Sequence, residues 1–197
     1  MEDPLAFNPN ANPVSLKTHI LEFIETLVVF LAIGTVIYLF IAQPHKVSGS
    51  SMFPNFHTGD YIITNKIGYR ISAPQRGQVI VFENPKDTSQ DFIKRIIGLP
   101  GDKVRVEGGK VYVNDQVLNE PYLPAGLQTL SGAFIKEGVE LQVPADNYIA
   151  FGDNRPFSSD SRDWGFLTKE EIIGQAMFRY WPITSAGLIQ SPKSNIH

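Results

Sequence analysis

From Leu27 to Ala42 the chain reads LVVFLAIGTVIYLFIA, 16 residues without a charge. Extending the segment back to Ile20 gives a helix about 34 Å long, enough to cross a hydrocarbon core of about 30 Å. A core helix of a soluble domain would carry a polar stripe, and none is visible after Thr26. A cleaved signal segment would start basic, yet Glu2, Asp3, Glu22 and Glu25 outnumber Lys17. Its exit would also need small residues, and a cut after Ala42 leaves Phe40 at the third position back. The pattern therefore predicts a retained membrane anchor over residues 17–43. Residues 1–16, rich in Pro, Asn and Ala, read as a flexible tail. Lys17 and Lys46 flank the span one on each side, so charge does not orient it.

After Pro44 the rhythm changes to short runs of β-branched and aromatic residues between Gly, Pro and Asn. Strands are predicted at Tyr61–Asn65, Val79–Phe82, Phe92–Ile97, Val104–Val106, Val111–Val113 and Tyr148–Phe151. Gly108-Gly109 is a two-residue turn that sets Val106 against Val111, Val104 against Val113 and Glu107 against Lys110. Lys169–Phe178, with Thr168 as cap, reads as a helix. The prediction is thus a mostly β fold: an N-terminal transmembrane helix, then a β-rich domain over residues 44–190. A smaller β region is inserted at 103–145, and residues 191–197 are expected to fray.

Composition narrows the chemistry. The 197 residues are 43% hydrophobic and 19% charged with net charge −3, so no basic field invites nucleic acid. There is no cysteine, which removes thiol nucleophiles and disulfides. His19, His45, His57 and His197 show no metal-ligand spacing, so neither a metal nor another cofactor is expected.

Three stretches remain. Val47-Ser48-Gly49-Ser50-Ser51-Met52-Phe53-Pro54 is a Gly/Ser turn closed by proline, able to expose a hydroxyl beside free backbone amides. Asp91-Phe92-Ile93-Lys94-Arg95-Ile96-Ile97 sets two cations in an apolar strand, on opposite faces. They are either charges guarding a sheet edge or members of a site. Gly152-Asp153-Asn154-Arg155, followed by Ser158-Ser159-Asp160-Ser161-Arg162-Asp163-Trp164-Gly165, is dense in carboxylates, arginines and hydroxyls.

Taken together, in this order and spacing, the three stretches resemble type I signal peptidases, also called leader peptidases, of the short single-anchor bacterial or thylakoid type. The resemblance runs from the anchor to about Trp181 and includes Leu99-Pro100-Gly101-Asp102 and Asn119-Glu120-Pro121-Tyr122. It implies a membrane-bound serine endopeptidase with a β-rich catalytic domain outside the cytoplasm, at the plasma or thylakoid membrane, cutting leader peptides from preproteins. It implies Ser51 as nucleophile, Lys94 as general base and Ser158 as a hydrogen-bond partner of the lysine. Asp153, Arg95, Asp160 and Arg162 would hold the loops, with Asp153 reaching Arg95. Val47, Met52, Phe56 and Ile93 would line shallow pockets for small substrate residues. The chain departs from the family at Asn55-Phe56, where Thr-Leu is usual, at Gln78, and at Gly49, where many members place an oxyanion-binding serine. Two other readings stay open: a serine-histidine hydrolase using His45 or His57, and a silent membrane-anchored binding module.

Overall fold

A computed structural model describes residues 15–85, 90–192 and 195–196. The predicted tail lies outside the described residues except for Ser15 and Leu16. The chain divides between Leu39 and Phe40 into two units.

In the first unit, helix α1 spans Leu16–Val36, with the Ser15 hydroxyl accepting from the Lys17 amide at 3.4 Å. A π-helical stretch, Ile37–Ile41, follows it and runs past the division between the units. Together they make 26 residues, about 39 Å of helix. The hydroxyls of Thr26 and Thr35 each donate to a carbonyl four residues back at 2.8 Å, so neither needs water. Every side chain of α1 is exposed, and after Thr26 the exposed surface is apolar on all sides.

The second unit contains β1 (Ala42–Lys46), β2 (Tyr61–Asn65), a short helix α2 (Gly68–Ile71), β3 (Val79–Glu83) and β4 (Asp91–Gly98). There follow β5 (Lys103–Glu107), β6 (Lys110–Val113), β7 (Gln116–Val117), β8 (Leu141–Gln142) and β9 (Asn147–Phe151). A short helix α3 (Ser161–Trp164), β10 (Leu167–Thr168), β11 (Ile172–Trp181) and β12 (Gly187–Leu188) complete it. Among the described residues the larger sheet runs β1-β2-β11-β3-β4-β9-β10, with β12 on β11. The smaller sheet, β7-β6-β5-β8, is built from the stretch predicted as an insertion. Its Gly108-Gly109 hairpin has the predicted register, both glycines at positive φ.

Strand β3 is buried on both faces, which is why it reads as the unbroken run VIVF. Val79 and Val81 pack with Ile62, Met52 and Phe56, whereas Ile80 and Phe82 pack with Ile96, Tyr148 and Leu167. The neighbouring β4 lies between β3 and β9. Lys94 and Arg95 therefore sit in the interior of the sheet and guard no edge.

The helix predicted over Lys169–Phe178 is absent; the segment is a turn followed by β11. Thr168 caps no helix: its amide and hydroxyl both donate to Glu171 Oε2, at 2.7 and 2.8 Å. That pair closes one turn before the chain extends. At Gly174 the strand runs so close to β2 that a Cβ would collide with the Asn65 carbonyl. Near the C-terminus, Ile196 is buried in the small-sheet core, and the Asn195 side chain bonds Asn119 and Val117. These two residues are packed, not frayed.

Candidate active site

Ser51 stands in a turn closed by Phe53 N–H to Ser50 O (3.1 Å), and a second turn, closed by Phe56 N–H to Met52 O (2.9 Å), follows directly. Gly49, at φ +90°, starts the turn in a conformation that side chains resist. Lys94 sits mid-strand on β4, opposite Ile80 of β3. Its Nζ donates to Ser51 Oγ at 2.8 Å and to the Ile93 carbonyl at 3.0 Å. The amine lies 5.0 Å from the Phe92 ring centre, and the residue is 3% exposed. Burial pulls the Lys94 pKa from 10.5 down to about 8, against the opposing pull of the Asp160 and Asp153 charges.

Beside this pair opens a cleft of about 310 Å³ whose walls include Val47, Ile62, Val81 and Ile93. Met52 and Phe56, predicted as pocket walls with Val47 and Ile93, do not line it. Each is 2% exposed in the cluster packed with Val79 and Val81. Phe56 instead borders a larger cleft of about 620 Å³, which contains neither Ser51 nor Lys94.

The loop after β9 lies directly against the serine turn. Asn154 N–H donates to Ser51 O, and its side-chain amide to Ser50 O, both at 2.9 Å. Gly152 makes this possible, since a Cβ there would collide with Ser51 O and fall 2.6 Å from Ser158 Cβ. The expected bond from Ser158 to Lys94 is not formed. Ser158 Oγ is buried without a hydrogen-bond partner among the described residues, while the amine donates to Ser51 and Ile93.

Three arginines fix these loops. Arg95 grips Asp153 with two bonds, Nε to Oδ1 at 2.8 Å and Nη2 to Oδ2 at 2.7 Å. Arg162 holds Asp160 and donates to the Arg155 carbonyl at 2.7 Å, while Asp160 accepts the Gly152 amide at 3.0 Å. Arg155 is buried against Glu120 and Thr129. Sequence reading assigned no role to Asn55, Asn154 or Glu120, whose partners are distant in the chain. Asn55 was visible only as a departure from a familiar motif, and Glu120 only as part of one.

Neither histidine approaches the chemistry of the serine. His45 borders the same cleft, but Nδ1 meets Thr64 Oγ1 at 3.0 Å and Nε2 faces Asp91 at 3.3 Å. His57 stacks edge-on against Phe53, at 5.3 Å between ring centres.

Comparison with known proteins gives the family of the chain. The family model described as signal peptidase, peptidase S26, matches residues 20–181. The chain belongs to this family. A probable signal peptidase I-2 of Synechocystis sp. is 43% identical over 177 residues, 86% of this chain and 77% of that protein. A signal peptidase I of Leptolyngbya laminosa is 35% identical over 205 residues, covering 98% of this chain and 97% of the relative. A signal peptidase IB of Staphylococcus aureus is 33% identical over 180 residues, covering 86% and 93%. The chain is accordingly a serine endopeptidase of signal peptidase I type. The mostly β domain behind an apolar helix is the architecture expected for such an enzyme.

Proposed function

We propose that this signal peptidase is anchored in a membrane by the helix over Leu16–Ile41 and removes leader peptides from exported preproteins with Ser51 and Lys94. The anchor reading rests on an 18-residue window of mean hydropathy 2.4 within a helix whose side chains are exposed along its whole length. The membrane is the plasma or thylakoid membrane, and the β domain works on its extracytoplasmic or lumenal side. The partners are the lipid bilayer and preproteins, and the reaction calls for no cofactor.

The observation that carries the catalytic assignment is the 2.8 Å bond between Ser51 Oγ and an amine buried to 3% exposure. With a pKa of about 8, about a quarter of Lys94 is neutral at pH 7.5, against about one in a thousand for a solvated lysine. Neutral Nζ accepts the Ser51 proton as Oγ attacks the scissile carbonyl carbon. The Ser51 backbone amide is a donor available to the developing oxyanion. Nζ then passes its proton to the leaving amine, releasing the mature protein. The acyl-enzyme on Ser51 is hydrolysed when Lys94 takes a proton from water, which frees the leader peptide. Val47 and Ile93 limit substrate side chains next to the cut to small ones, typically alanine.

Cleavage of a purified preprotein by the detergent-solubilised enzyme tests this. Ser51→Ala is expected to fold and to leave the preprotein uncut. Cleavage by that variant at the wild-type rate would exclude Ser51 as nucleophile.

A further inference from the structure

We propose that Asn55 is a positioning residue for the Ser51–Lys94 reaction, acting through Asp153 to hold the nucleophile turn in register with β4. The inference rests on the assignment of Ser51 and Lys94 made above. Asn55 lies four residues after Ser51, in the turn that directly follows the one carrying the serine. Its side-chain Nδ2 donates to Asp153 Oδ2 at 2.8 Å and to the Tyr122 carbonyl at 2.9 Å. Both partners only accept, so the amide nitrogen must face them. Its backbone carbonyl accepts from Arg179, whose guanidinium also lies 3.3 Å from Asp60.

Asp153 joins the two halves of the site. It is fully buried, and the Oδ2 that accepts from Asn55 also accepts from Arg95 Nη2 at 2.7 Å. Arg95 is the residue next to Lys94 on β4. The path from nucleophile to base therefore runs Ser51, turn, Asn55, Asp153, Arg95, Lys94, in parallel with the direct Ser51–Lys94 bond. A neutral donor suits the place: the Arg95 guanidinium already balances Asp153, and Asn55 occupies the remaining acceptor capacity without adding charge. A threonine hydroxyl, usual here in the family, has one hydrogen and could serve one of the two acceptors. The amide serves both.

Asn55 does not line the cleft beside Ser51. Its loss should lower kcat and leave KM nearly unchanged. Misplacement of reacting groups by about 1 Å costs about a hundredfold, so Asn55→Ala should lose about 10–100-fold in kcat, and Asn55→Thr less. If the effect passes through Asp153, adding Asn55→Ala to Asp153→Asn should cost less than twofold more, because the coupling is already broken. Single-turnover cleavage of a leader peptide with alanine at the first and third positions before the cut reads these values. Circular dichroism and Ser51→Ala serve as controls. Should Asn55→Ala not fold, Asn55→Thr and Asn55→Ser give the same kcat and cycle readouts. The proposal is overturned if the folded variants keep wild-type kcat, if the loss lies in KM, or if it multiplies with that of Asp153→Asn. Full activity in Ser51→Ala would instead overturn the catalytic assignment beneath it.

Discussion

Replacing Lys94 with methionine should stabilise the folded protein at neutral pH while destroying its activity. The unfolded lysine titrates near 10.5 and the folded one near 8. Below pH 8 both states carry the charge, and the folded state bears the whole cost of burying it. Between the two values the unfolded chain binds the extra proton, so wild-type stability rises with pH; above 10.5 both are neutral and the cost is gone. Each pH unit between them is worth about 1.4 kcal/mol, so the cost below pH 8 is about 3 kcal/mol. Methionine fills similar volume without charge, but it forfeits the bonds to Ser51 and Ile93, worth about 1–2 kcal/mol. The variant should thus exceed wild type by about 1–2 kcal/mol at pH 7 and fall below it above pH 10.5. Urea unfolding of both proteins in micelles, followed by tryptophan fluorescence at pH 7 to 11, measures the difference. A difference that does not change with pH would refute the buried-amine argument.

Gly152→Ala should lower activity at least tenfold and reduce stability by about 1–3 kcal/mol, since its Cβ meets the backbone of Ser51; a cleavage assay with thermal unfolding checks both. A preprotein with leucine in place of alanine just before the cut should be processed about 5–150-fold more slowly, from the same overpacking range applied to the Val47 and Ile93 walls. Equal rates for the two substrates, read on a gel time course, would contradict the assignment of that cleft.

Much of this was legible beforehand, and the misreadings have physical causes. The six predicted strands are runs whose β-branched and aromatic content decides their state locally. Gly108-Gly109 decides its hairpin locally too. β11 was misread because Thr168 and Glu171 close a single turn that reads like a helix start, while the extended state beyond it depends on pairing with β2 and β3 across the sheet. β1, with the sequence AQPHK, has no strand pattern and owes its conformation to β2. Met52 and Phe56 stand in a motif beside Ser51, but an apolar residue in a motif is not distinguishable by sequence from one in the core. The motif resemblance drew attention to Ser51 and Lys94. It could not reveal that Ser158 makes no bond to the amine, nor that Asn55 bridges Tyr122 and Asp153, since those contacts depend on loop placement.

The pH dependence of kcat/KM for wild type and Lys94→Arg tests the central claim most directly. Arginine keeps the charge and approximate length but cannot lose its proton. Wild-type kcat/KM should rise with pH through an ionisation near 8 and then level off. Lys94→Arg, folded and membrane-extracted in the same way, should lie about a thousandfold or more below it at every pH, within the range that general-base catalysis supplies. Activity of Lys94→Arg within tenfold of wild type, or a wild-type rise only near 10.5, would contradict the account.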